Sequence, residues 1–317
     1  MMGIDTVLFS IIPPFSPNLI EDVRAMLGFD FMRYALLAGT AIALAAGAVS
    51  YFIVLRHQTF AGDALSDVAF TGALGAAVLG INLLVGLFVG TVAVALGIGL
   101  LGGRARARDV AIGTTLAWVL GLGVLFLSIY TSTASGSNGA IGVNVLFGTI
   151  FGLTAQQATL AAWAGAGALA LLLLIARPLL FASLDPDVAA ARGVPVRALG
   201  LAFLVILGVT VAEAVQAVGV LLIFSLLVGP GAVARRLVTR PFAALALSAG
   251  LALVFVWVGL TLAFYTPYPV SFLISTLAFC TYLLVLLGAQ GQRFWAQRVK
   301  TAPAKKEPEE LAVSRPT

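Results

Sequence analysis

Long apolar stretches alternate with short polar ones along almost the whole of this chain. Each apolar stretch holds about twenty residues, enough for a helix to cross the roughly 30 Å hydrocarbon core of a bilayer. Apolar positions follow one another continuously instead of alternating, which argues against a transmembrane β-barrel. The pattern predicts nine membrane-spanning helices, at 32–54, 62–80, 82–101, 110–131, 157–179, 197–213, 216–233, 242–264 and 270–290.

Composition supports this prediction. Of 317 residues, 61% are hydrophobic and 10% are charged, whereas a soluble domain carries about 25% charged residues. The 34 glycines suit close contact between helices in lipid. We therefore predict an all-α fold, a polytopic membrane bundle of eight or nine transmembrane helices. The lower count allows for 197–233, which is short for two full spans, so its helices are expected to be short, tilted or broken.

Basic residues occupy every second loop, which sets the expected orientation. The positive-inside rule places these loops and the C-terminus in the cytoplasm, in a multi-pass protein of the cytoplasmic membrane. We expect an extracytoplasmic segment at 1–31, a transmembrane domain at 32–290 and a disordered cytoplasmic tail at 291–317. The net charge of +5 then reflects topology and lipid headgroups, not nucleic-acid binding.

Two loops stand out. In 181–197, Asp185 or Asp187 is expected to cap a short helix that runs through Ala191 and ends at Gly193 and Pro195. The apolar but glycine-broken segment 140–154 is too short to span, so we expect it to be re-entrant or interfacial on the outer side.

Three acidic residues fall within predicted spans: Asp63, Asp67 and Glu213. An unpaired carboxylate in lipid costs roughly 2.5–3.5 kcal/mol, and no Lys or Arg lies centrally in any predicted span. Asp63 and Asp67, spaced i, i+4, share one helix face, where a divalent cation would relieve their repulsion. A structural role near a helix start remains open for Asp63. Glu213 is a weaker metal candidate, since we expect it at a solvated outer helix end.

Several chemistries are excluded by what the sequence lacks. All lysines (Lys300, Lys305 and Lys306) lie in the tail, so there is no GxxxxGK[ST] loop and the chain is not its own ATPase. A single histidine, His57, and a single cysteine, Cys280, exclude a Cys/His zinc site, and a Ser–His–Asp triad is implausible. We expect no bound cofactor and read His57 as a plain interfacial residue.

Four motifs follow one another between about residues 30 and 290: YFIVLRHQTFAGDALSDVAFTG (51–72), LFGTIFGL (146–153), SLDPDVAAARGVPV (183–196) and QAVGVLLIFSLLVGPGAVA (216–234). In this order and spacing they resemble the permease subunits of manganese, zinc and iron ABC importers. The resemblance implies a type II importer permease that works as a homodimer with a cytoplasmic ATPase and an extracytoplasmic metal-binding protein. It also implies that 183–196, with Asp185, Asp187, Ala191, Gly193 and Pro195, couples the permease to the ATPase.

The same resemblance makes Asp63 a pathway aspartate, but two positions depart from the family pattern. The family usually has His where this chain has Asp67, and Pro where it has Thr71. A second carboxylate makes a harder site, which leans towards manganese while leaving zinc open and iron less favoured. Two other functions stay in competition: a secondary transporter that relays protons through Asp63, Asp67 and Glu213, and a permease for siderophore- or cobalamin-like ligands.

Overall fold

Helices make up the regular structure throughout residues 24–101, 105–133 and 145–301, the part of the chain that this computed structural model describes. In these residues no strand occurs, which confirms the predicted all-α class. The helices are α1 (Asp30–Leu55), α2 (Thr59–Val78), α3 (Leu83–Leu101), α4 (Ala105–Thr133), α5 (Ala155–Leu184), α6 (Pro186–Ala191), α7 (Val196–Val218), α8 (Val220–Leu237), α9 (Pro241–Tyr265) and α10 (Val270–Thr301). A 3-10 turn at Ile150–Gly152 precedes α5.

The nine predicted spans correspond to the nine long helices of the described residues, with most ends displaced by only a few residues. Seven of these helices are long and apolar enough to cross a membrane, and α2 and α8 are not among the seven. Asp63 and Asp67 lower the hydropathy of α2. Helix α2 therefore falls outside the seven for a chemical reason, because it carries these two acids.

A displacement of five residues is found at the end of α7. We predicted that this helix ends at residue 213, but it continues to Val218, and a single residue separates it from α8. That residue is Gly219, whose φ of 91° suits glycine and interrupts the helix. Short, tilted or broken helices were expected in 197–233; the structure has two helices of 23 and 18 residues, interrupted at Gly219.

The bundle has a central and an outer layer. Of the residues in the apolar stretches of α1 and α7, 72% and 67% are buried, against 17% in α4 and 22% in α3 and α10. Helix α1 contacts α5, α7, α8 and α9. The outer helices expose large apolar side chains such as Trp118, Trp163 and Leu174, which suits contact with lipid.

Small residues let the helix backbones approach closely. Where α2 crosses α3, a Cβ added to Gly86 would lie 2.2 Å from the Gly72 carbonyl oxygen. Where α1 crosses α8, the Gly231 N–H donates to Ser50 Oγ at 2.9 Å. Contacts of this kind hold membrane helices together because lipid provides no hydrophobic drive for their association.

Three predicted segments lie partly outside the described residues: 1–31 is described from residue 24, 140–154 from residue 145, and 291–317 up to residue 301. Of 140–154, residues 145–154 are described; they include the 3-10 turn, whose Ile150 is buried, and they form no span. At the other end of the chain, α10 continues to Thr301, into the segment that we predicted to be a disordered tail. The stretch 291–301 has no proline to end the helix, and the first comes at Pro303.

We expect Gly86→Ala to destabilise the protein, because the added methyl group would collide with the Gly72 carbonyl oxygen. Overpacking of this kind costs about 1–3 kcal/mol of unfolding free energy, measurable as a lower unfolding temperature in detergent. Gly97→Ala in the same helix is the control, since a Cβ there meets nothing within 4 Å. It should leave the temperature unchanged or raise it. Equal temperatures for both variants would contradict the assigned crossing.

Candidate functional site

Helix α2 presents its acidic side chains on one face. Phe60, Asp63, Asp67 and Phe70 follow one another at i, i+3, i+7 and i+10 and therefore share a side of the helix, here named the aspartate face. Phe60 is exposed and the other three are half-buried, whereas residues 64–66 between the two acids are buried. Of all the sides of α2, the aspartate face is the one that the chain covers least.

The other sides of α2 are fixed by its neighbours. At Gly62, a Cβ would lie 3.6 Å from Leu227 Cδ1 of α8. Towards α4, the Thr71 hydroxyl donates to the Val119 carbonyl at 3.1 Å. Together with the Gly72–Gly86 crossing on α3, these contacts set the rotation of α2. The small or hydrogen-bonding residues of α2 thus face α3, α4 and α8, and the aspartates are left half-buried.

In the described part of the chain, no positive charge neutralises the aspartates. The ion pair found there joins Arg33 and Asp30 at 3.5 Å, on an exposed turn of α1. No group of three or more His, Cys, Asp or Glu side chains that could hold a metal occurs among the described residues. The pair thus offers two carboxylates, fewer than the four ligands of a typical zinc site.

Glu213 occupies a different environment from the one we expected. It is 1% exposed, so the expected solvated helix end is wrong. The physical reason is the length of α7, which continues beyond Glu213 and keeps it inside the bundle. Its Oε1 faces Gly165 of α5, where a Cβ would lie 2.7 Å away, and that same Cβ would also meet Ala41 of α1. Neither carboxylate oxygen makes a hydrogen bond of normal geometry, although the Gly165 N–H bears on the carboxyl group, and Glu213 is not grouped with Asp63 and Asp67.

The predicted short helix in 181–197 is present as α6. Asp185 caps it by accepting a hydrogen bond from the Val188 N–H at 3.0 Å. After Ala191 the chain turns at Gly193, whose φ is 81°, and Pro195 precedes the first residue of α7. Asp187 and Val188 are exposed, while Ala189 is buried against the bundle. The structure therefore confirms the local fold of this segment, which we name the α6 segment (183–196).

Arg56 connects the α6 segment to the start of α2, a contact that the sequence did not reveal. Its Nη1 donates to Ser183 Oγ at 3.0 Å, and its guanidinium carbon lies 5.6 Å from the centre of the Phe203 ring of α7. Next to it, His57 adopts a φ of 53° in the exposed turn that leads into α2. Arg56 thus joins three elements, the end of α1, the α6 segment and α7, immediately before the aspartate helix.

Comparison with known families identifies the chain's relatives. A family described as the ABC 3 transport family matches residues 28–289. The chain belongs to the ABC 3 transport family. The resemblance to metal-ion ABC permeases is thereby confirmed, as is the predicted type of fold.

Individual relatives of this ABC 3 family member carry metal-transport names. A manganese transport system membrane protein, MntC, of Halalkalibacterium halodurans is 28% identical over 70% of this chain and 75% of its own length. The manganese import system permease protein ScaB of Streptococcus parasanguinis is 32% identical over 68% and 75%. A probable iron transport system membrane protein of Haemophilus influenzae is 29% identical over 68% and 78%.

Among solved structures, PsaBC from Streptococcus pneumoniae in complex with Fab has a chain that resembles this ABC 3 family member. The TM-score is 0.73 at 26% identity, and the match covers 84% of this chain and 95% of the other. The helix arrangement of the described residues therefore resembles that of a solved structure.

We expect Glu213→Met to stabilise the protein. The substitution keeps the length of the side chain and removes a buried polar group that makes no hydrogen bond of normal geometry, which should raise the unfolding free energy by about 1–2 kcal/mol. Thermal unfolding in detergent measures the change. Glu213→Gln is the control, since it keeps a polar group and should unfold nearer the wild-type temperature. A Met variant less stable than the wild type would show that the carboxyl group has a stabilising partner.

Proposed function

We propose that this chain is the membrane permease of an importer for a divalent metal cation, with manganese as the first candidate and zinc as the second. The observation that carries the proposal is the aspartate face, where two carboxylates lie on the least covered side of a helix held rigidly by its neighbours. Carboxylates without a positive partner are expensive in a membrane and mark ion pathways. A transported divalent cation supplies the missing charge.

A second copy of the chain completes this pathway. Acyl chains are a poor environment for Asp63 and Asp67, so their face needs a water-filled or protein-lined space. One chain contributes two carboxylates, and a two-fold symmetric partner brings the same two residues to the opposite side. Four carboxylates would then surround one pathway, enough to coordinate a divalent cation. We accordingly propose a homodimer with its axis along the aspartate face.

The choice of metal rests on ligand hardness and on the names of relatives. Oxygen ligands suit manganese, and zinc accepts them too. The relatives MntC and ScaB are named for manganese, while the Haemophilus relative is named for iron. Manganese fits both the hardness of the carboxylate ligands and the names of MntC and ScaB. A pathway for bulky chelates is less favoured, because two acids one helical turn apart suit a bare cation.

A separate chain is proposed to supply ATP hydrolysis. The sequence has no phosphate-binding loop, and the exposed side of the α6 segment offers a docking surface: Asp185, Asp187, Ala191, Gly193 and Pro195. An extracytoplasmic metal-binding protein would deliver the cation on the other side. This arrangement places the α6 segment and the C-terminus in the cytoplasm. A proton relay through all three membrane acids is less favoured, because Glu213 is enclosed and not grouped with the aspartates.

We expect Asp63→Asn and Asp67→Asn each to reduce manganese uptake at least about tenfold, because each removes the charge of one ligand in both copies. Uptake of radioactive manganese into proteoliposomes that contain the permease and its ATPase measures the effect, and competition with zinc and ferrous ions ranks the metals. Asp30→Asn is the control, since Asp30 is an exposed acid outside the aspartate face.

Wild-type uptake by both aspartate variants would remove the basis for the pathway. Uptake that zinc suppresses far more strongly than unlabelled manganese does would leave the pathway in place and make zinc the cargo. In either case the amount of folded protein in the membrane must match the wild type, so that transport and assembly are not confused.

We expect Val188→Glu to uncouple the permease from its ATPase, because it puts a charge into the exposed apolar part of the α6 segment. Co-purification with the ATPase should fall at least about tenfold, and ATP-driven uptake should fall with it. Leu237→Glu is the control: Leu237 is another exposed apolar residue, at the end of α8 outside the segment. Equal losses in the two variants would show that the α6 segment is not the specific docking site.

A further inference from the structure

A cavity of about 590 Å³ opens between the ends of three elements: the turn from α1 to α2, the last turn of α3 and the first turns of α7. Its polar end is lined by Arg56, Gln58 and Arg197, and its walls by Leu100, Leu201 and Leu204. The aspartates are not among its lining residues. The cavity lining shares Val196 with the α6 segment, but none of the five proposed docking residues lines it.

The polar end provides hydrogen-bond donors for an anion. Helix α7 begins here without a side-chain cap at Pro195, and the first of its N–H groups to bond back to that residue is that of Leu199, at 3.0 Å. In the described part of the chain, the N–H groups of Arg197 and Ala198 therefore have no backbone partner. Helix N-termini of this kind attract phosphate, and the exposed Arg197 guanidinium adds a positive charge.

Gln58 gives a second, independent indication of a ligand. The side chain is 5% exposed, yet its Oε1 has no hydrogen-bond partner while lining the cavity. Buried polar groups in native proteins nearly always find a partner. The amide oxygen of Gln58 accepts hydrogen bonds, so a ligand that satisfies it must carry a donor such as a hydroxyl group. This donor would lie next to the phosphate position at the start of α7.

The walls indicate that the phosphate belongs to a lipid. Leu201 and Leu204 contact Gly99 of α3 and form an apolar floor. Leu100 at the rim is 77% exposed and continues into the outer surface of α3, which we assign to lipid. A free phosphate ion would leave this apolar part empty, whereas an acyl chain fills it. Basic pockets between helix ends on the cytoplasmic side suit anionic headgroups.

We propose that this cavity binds an anionic phospholipid with a hydroxylated headgroup, of the phosphatidylglycerol class. The phosphate lies against the start of α7 and Arg197, a headgroup hydroxyl donates to Gln58 Oε1, and an acyl chain follows Leu201 and Leu100. Because Arg56 also holds Ser183 of the α6 segment, a bound lipid supports the junction that joins this segment to α2.

The test uses the full-length protein, purified in detergent and stripped of lipid. Its unfolding temperature is measured with dioleoyl phosphatidylglycerol, with dioleoyl phosphatidylcholine and with inorganic phosphate. We expect the phosphatidylglycerol shift to be at least about three times the phosphatidylcholine shift, and inorganic phosphate to give almost none. Equal shifts with both lipids would overturn the proposal, and a full shift with inorganic phosphate would assign the site to a free anion instead.

Two variants place the effect in the cavity. Arg197→Gln removes the charge, and Ala198→Trp fills the space from an exposed position; each should lower the phosphatidylglycerol shift to less than about a third. Arg240→Gln, an exposed arginine at the start of α9, is the matched control and should keep the full shift. Equal loss in the Arg197 and Arg240 variants would mean general surface attraction and reject the site.

Lipid-free unfolding temperatures near the wild type establish that each variant is folded. If Ala198→Trp is folded and keeps the full phosphatidylglycerol shift, the cavity is not the lipid site. An unchanged lipid response together with loss of ATPase co-purification in Arg197→Gln would assign the cavity to the partner protein and overturn the lipid proposal.

Discussion

The exclusion of two carboxylates from lipid is the constraint on which this bundle depends. Asp63 and Asp67 make α2 less apolar than most of its neighbours, so α2 needs protein or water around it. The outer helices α3 and α4 meet this need by packing on α2 through Gly86 and the Val119 carbonyl, and α8 covers a further side. The aspartate face is the least covered side of α2, and its incomplete cover makes a pathway between two copies physically reasonable.

The same packing makes α2 a mechanical element. A helix held on three sides moves as a rigid body together with the turn that leads into it. That turn begins at Arg56, which holds Ser183 at the end of α5 and lies over Phe203 of α7. A movement of the α6 segment can therefore be transmitted to the aspartates over a short distance, through the hydrogen bond between Arg56 and Ser183 and one turn of chain. This route gives the proposed coupling a physical basis within one protomer.

Features that depend on one-dimensional pattern were predictable from the sequence, and features that depend on contacts between helices were not. Hydropathy located the nine long helices, and the capping pattern of Asp185 and Gly193 located α6, because each signal is local. The surroundings of Glu213 depend on Gly165 and Ala41, far away in the chain, so the expected solvated position was wrong. The end of α7 was misplaced because hydropathy does not distinguish residue 214 from Gly219, whereas backbone geometry does.

Asp67 decides how such a pathway would differ from those of the family that the sequence resembles. With histidine at this position, two copies would contribute two carboxylates and two neutral ligands, which balances one divalent cation. With Asp67, two copies would contribute four carboxylates, and a single divalent cation would leave a net charge of −2 with all four ionised. Such a site would retain its cation strongly while the carboxylates converge, so release would require that the two aspartate faces separate. Transport through this pathway would therefore depend more on the movement of α2 than on exchange of ligands at a fixed site.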